Sequence, residues 1–101
     1  MDDLDFEWDE MKRQLNLAKH GVDFVRALRI FNRSTLETSD LRRAYGENRI
    51  IATGEVENEV FVVVYTWRSG NRRLISARKA GNNARKKYYA SYPQTGPQDE
   101  G

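Results

Sequence analysis

The chain has 101 residues, a formal net charge of +2, 39% hydrophobic and 32% charged residues, and no cysteine. That length holds one domain with one modest core, and the missing cysteine excludes disulfides, thiol catalysis and thiolate metal sites. Charge is uneven: six acidic side chains fall within the first ten residues, whereas eight basic ones and no acidic one lie between Arg68 and Lys87, which points to a polyanion or an acidic partner, or more plainly to a solvated basic face.

In chain order, residues 4–8, LDFEW, alternate apolar and acidic as a short strand does. Asp9 reads as the N-cap of a helix over EMKRQLNLAKH, with Glu10 at the positive end of its dipole. Met11, Leu15 and Ala18 form its apolar stripe, and Gly21 sits where a left-handed residue ends it. Asp23 then caps a second helix whose Phe24, Ala27, Leu28 and Phe31 are spaced to cover one face of a sheet.

From residue 35 the period shortens to that of strands. TLETSDL is a polar edge strand, RIIATGEV a stronger one, EVFVVVYTW a run fit for burial on both faces, and RRLISARK the last. Tight turns at Val56-Glu57-Asn58-Glu59 and Ser69-Gly70-Asn71 make the final three an antiparallel meander. Asn82 or Asn83 is the expected cap of a short helix through ARKKYYASY, and residues 93–101, with both prolines, read as a disordered tail. The sum is one α+β domain over 1–92, β-α-α-β-β-β-β-α: an antiparallel sheet with two N-terminal helices on one face and a short C-terminal helix.

One histidine and no cysteine cannot make an ordinary zinc site, and Asp2, Asp3 and Asp5 suit a hard cation only if ordered. No glycine loop for phosphate is present, and no run reaches the about 18 apolar residues of a membrane helix. The acidic N-terminus lacks a secretory pattern, so the cytoplasm is the expected location. What remains, Arg, Lys, Glu, Tyr and His20, suits RNA cleavage with no metal or cofactor, where guanidinium groups meet charge developing on a phosphate.

Arg78 is the leading candidate. Strict alternation places it with Leu74 and Ser76, opposite Arg73, Ile75 and Ala77; the plainer reading is a surface ion pair. Glu47 and Arg49, at the head of RIIATGEV, offer a carboxylate and a cation or form an exposed pair. Tyr88 and Tyr89 stack on bases or fill the core, with one of the two expected inside. Lys19 and His20 close a helix at its negative end, a capping role compatible with general acid catalysis.

FEWDEMKRQLNLAKHGVDF, GENRIIATGEV, VVVYTWR and RRLISARKA, in that order, resemble the BrnT toxins of bacterial type II toxin–antitoxin systems, over roughly residues 6 to 89. The resemblance implies a RelE-like ribonuclease fold and toxicity through metal-independent RNA cleavage that inhibits translation. It also implies neutralisation by a BrnA-like antitoxin with a ribbon-helix-helix domain, a heterotetramer of two toxins and two antitoxins, and repression of their own operator DNA. Carried onto this chain, the catalytic set is His20, Glu47, Arg49 and Arg78, and the RNA-binding set is Lys19, Arg68, Arg73 and Tyr88, to which the basic run adds Lys79 and Arg85. Gly21 and Phe24 are scaffold, and Asn16 bonds backbone near the helix end. The family commonly has a glutamate where this chain has Ala84, so any part for that carboxylate is lost. The alternative is a non-catalytic subunit that binds antitoxin or nucleic acid without turnover.

Overall fold

The computed structural model describes residues 5–40 and 46–93. In order these form β1 (Phe6–Trp8), α1 (Glu10–His20), α2 (Phe24–Ala27) continuing as a 3₁₀ segment over Leu28–Asn32, β2 (Leu36–Ser39), β3 (Ile50–Val56), β4 (Glu59–Arg68), β5 (Asn71–Lys79) and α3 (Asn82–Ser91). The α+β class and element order are as expected. Residues 2–4, Leu41 and residues 94–101, which carried parts of the cation, edge-strand and tail expectations, lie outside the described residues.

Local chemistry accounts for most boundaries. The Asp9 carboxylate accepts from the Met11 and Lys12 amides, and Asp23 accepts from Val25. Gly21, at φ 70°, donates its amide to the Leu17 carbonyl and ends α1. Glu57 and Asn58 both take positive φ, as do Ser69 and Gly70, the backbone of the two-residue hairpins that join β3 to β4 and β4 to β5. α3 departs from expectation: Gly81 is its N-cap and no side chain caps it, so Asn82 and Asn83 already lie inside the helix.

The sheet runs β1-β5-β4-β3-β2. It is mixed rather than antiparallel, because β1 pairs parallel to β5. Both helices and three strands intervene between these two, and the chain returns to the edge in the direction it left. Ala52 and Val56 of β3, Phe61, Val63 and Tyr65 of β4, and Leu74 and Ala77 of β5 form one face of a core closed by Phe24, Ala27, Leu28, Ile30 and Phe31. The predicted stripe of the second helix is thus buried, although only its first turn is α-helical.

Two expectations fail for physical reasons. Met11 and Leu15 are 64% and 61% exposed, and the residue α1 buries is Asn16. Its carboxamide donates to the carbonyls of Ala77 (2.8 Å) and Val22 (3.0 Å) and accepts from the Ala77 amide (3.1 Å). β1 is only three residues long and pairs with residues 72–74, so Asn16 completes the edge of β5 where the strand partner has ended. Satisfying three buried backbone groups outweighs burying a few methylenes. The second failure is the phase of β5. Val64 pairs with Ser76 but Tyr65 pairs with Leu74, leaving Ile75 as the extra residue of a bulge. Leu74 and Ala77 therefore share the core face, and Arg73, Ser76 and Arg78 share the other.

Candidate active site

Cross-strand partners share a face, so the register defines the sheet surface turned away from α1 and α2. Along β5 it carries Arg73, Ser76 and Arg78, opposite Thr66, Val64 and Val62 of β4. Arg68 pairs with Asn71 at the hairpin end, and Glu7 of β1 lies beside Arg73. α3 closes the other end of this face, where Tyr89 donates to the carboxylate of Glu55 at 2.7 Å.

Each group is held differently. Arg73 donates to the Glu7 carboxylate at 2.8 Å, and the Asn71 carboxamide donates to its other oxygen at 3.4 Å. The Arg73 hydrogen bond, with the charges of Arg73 and Arg68, holds the Glu7 carboxyl below its ordinary range. Thr66 donates to the Asn48 carbonyl at 2.7 Å, which brings the segment bearing Glu47 and Arg49 to the same end of the face. Those two pair with each other at 3.1 Å, just before β3 begins. Arg78 is exposed; its guanidinium reaches only the Lys79 carbonyl, at 3.5 Å, and among the described residues no carboxylate pairs with it. The ion pair that was its plainer reading is therefore not formed there.

Other candidates lie elsewhere. Lys79 is on the helix-covered face, opposite Phe61, and pairs with Glu59 at 3.2 Å. Lys19 and His20 are exposed in the last turn of α1; among the described residues neither makes a side-chain hydrogen bond or ion pair, so no contact joins His20 to Arg78. The αL glycine, rather than His20, satisfies the helix end. Arg85 is exposed on α3 near the Tyr89 ring, at 6.0 Å. Tyr88 is 3% exposed with its hydroxyl donated to the Ser34 carbonyl, so its ring is packed and not offered to a base.

Glu7 is the member that sequence reasoning did not place in the site. The alternation of LDFEW already set it opposite Phe6 and Trp8, but only the parallel pairing with β5 brings it to Arg73. Among the described residues no group of three or more His, Cys, Asp or Glu side chains is assembled as a metal cluster would require. No described helix is long and apolar enough to cross a membrane. The surface is thus an arginine-rich sheet face with two tethered carboxylates, suited to hold phosphates and to meet charge as it develops on one of them.

No curated protein matches this chain. Residues 8–83, from the last residue of β1 through the first residues of α3, match the family described as the ribonuclease toxin, BrnT, of type II toxin–antitoxin systems, and the chain belongs to that family.

Proposed function

We propose that this chain is a metal-independent endoribonuclease with a RelE-like mechanism, acting through the arginines of the open sheet face. The observation that carries the reading is Arg78: an exposed guanidinium on that face, beside Ser76, with no carboxylate partner among the described residues.

In the reaction a base removes the 2′-hydroxyl proton, O2′ bonds to phosphorus, and the P–O5′ bond breaks as an acid protonates O5′. Negative charge grows on the non-bridging oxygens, where Arg78 supplies paired N–H donors and a fixed positive charge. Arg73, oriented by Glu7, and Arg68 take the flanking phosphates, while Arg49 holds Glu47 as the base. His20, exposed in the last turn of α1 with Lys19 beside it, is the acid. Lys79 and Arg85 add to the attraction at longer range.

The same basic surface fits the acidic or apolar arm of a cognate ribbon-helix-helix antitoxin, in a heterotetramer that carries the toxin to operator DNA in the cytoplasm. Cleavage then inhibits translation whenever antitoxin is short. Ala84 removes a carboxylate common in the family without touching the arginine set.

The test is cleavage of end-labelled RNA in EDTA by the parent chain, Arg78→Ala and His20→Ala. Removing one pre-positioned donor to a developing oxyanion costs about 100- to 1,000-fold in rate, and that loss is expected for Arg78→Ala. Full cleavage by both variants overturns the assignment of roles. No cleavage by the parent at high concentration overturns the enzyme reading in favour of a non-catalytic binding subunit.

A further inference from the structure

Trp67 is 52% exposed, among the largest apolar groups left open to solvent in the described residues. It stands at the end of β4, on the helix-covered face, opposite Arg72. Its ring ends an edge-to-face series, Phe31 to Tyr65 at 5.4 Å and Tyr65 to Trp67 at 5.7 Å. The Arg72 guanidinium lies over it at 4.7 Å and over Phe31 at 4.3 Å. Arg72 Nε is buried with no hydrogen-bond partner among the described residues, and the guanidinium packs on the faces of these rings. The indole is braced by a cation and by Tyr65, yet half its surface is bare.

An anchor for another protein would be expected among apolar neighbours. Here the surroundings are cationic: Arg72 over the ring, Arg68 next in sequence, and Arg73 across the hairpin. Consecutive strand residues project to opposite faces, so the tip of the β4–β5 hairpin presents a ring on one side and phosphate-binding groups on the other. A chain of alternating anionic phosphates and flat apolar bases is the ligand with that pattern.

We infer that Trp67, braced by Arg72, is a stacking platform for one nucleobase of single-stranded RNA whose neighbouring phosphates lie on Arg68 and Arg73. The inference rests on the ribonuclease reading and adds a base-binding subsite outside the reacting phosphate. The base stacks on the exposed part of the indole as the strand rounds the hairpin tip, which sets the register in which the scissile phosphate meets Arg78.

The chain has two tryptophans, and Trp8 packs edge-on against Phe24, so a Trp8→Phe background leaves Trp67 as sole reporter. Titration with a 2′-O-methyl oligonucleotide, which cannot be cleaved, is expected to quench its emission. Trp67→Ala should weaken binding about 5- to 150-fold, the range for loss of one stacked base, with an unchanged salt slope because no charge is removed. One abasic position in the oligonucleotide should reproduce that loss in the parent, a measurement that needs no variant to fold, and add nothing in Trp67→Ala. Arg78→Ala should lose cleavage and keep the quench. Unquenched emission with equal affinity at every abasic position overturns the platform, even where the parent cleaves RNA. A parent that neither binds nor cleaves overturns the platform and the ribonuclease reading together. Quenching by an acidic peptide but not by RNA overturns it in favour of a protein anchor.

Discussion

Asn16→Ala isolates the contact that joins α1 to the sheet. The substitution removes three hydrogen bonds, to Ala77 N–H, Ala77 O and Val22 O. Asn16 is 7% exposed, so water does not simply replace the carboxamide. A buried backbone group left without a partner costs about 1–3 kcal/mol. Partial entry of water at the sheet edge makes the three costs less than additive, so about 3 kcal/mol is expected in total. Domains of this size are stable by about 5–15 kcal/mol, and their Tm falls by about 4–8 °C per kcal/mol. Urea unfolding of parent and variant measures the loss directly, at an unchanged m-value. Asn16→Asp separates hydrogen bonding from shape: one oxygen still accepts from Ala77 N–H, but the other faces two carbonyls, so it should be no more stable than Asn16→Ala at neutral pH. A loss below about 1 kcal/mol in Asn16→Ala would refute the reasoning and mean that solvent already serves the edge of β5.

Two further outcomes test the packing around the site. A Cβ placed on Gly54 falls 2.6 Å from Ile30 Cβ and 3.1 Å from Thr35 Cγ2, so Gly54→Ala must displace the 3₁₀ segment; overpacking of this kind costs about 1–3 kcal/mol, read as a lower Tm in calorimetry. Burial, with the hydrogen bond to Glu55, pushes Tyr89 up to about 12 from 10.0. The folded state then keeps a proton that the unfolded chain releases, so this contribution to stability is complete below pH 10 and is lost as pH rises through about 12. Urea midpoints followed across that window should fall in the parent and fall less in Tyr89→Phe, the remaining slope coming from Tyr65 and Tyr88, which burial raises in the same direction.

Much of the chain is legible without a structure because its decisive interactions span only a few residues. Asp9, Asp23 and Gly21 cap helices through groups two to four positions away. The turns at Glu57-Asn58 and Ser69-Gly70 need only the positive φ they adopt. The stripe of Phe24, Ala27, Leu28 and Phe31 is buried whether its later turn is α-helical or 3₁₀.

The site is where local pattern stops deciding. RRLISARK alternates acceptably in either phase, and only pairing with β4 places a bulge at Ile75 that turns Arg78 to the side of Arg73. Glu7 comes to Arg73 through a parallel pairing 66 residues apart in sequence. Met11 and Leu15 look like the buried stripe of α1, yet the unpaired edge of β5 turns Asn16 inward instead. Sequence alone thus determined the elements, their order and an abundance of arginine, because caps, turns and periodicity are short-range. Tertiary structure decided which arginines share a face and which keep a carboxylate, because register and edge satisfaction depend on strands that meet only after folding.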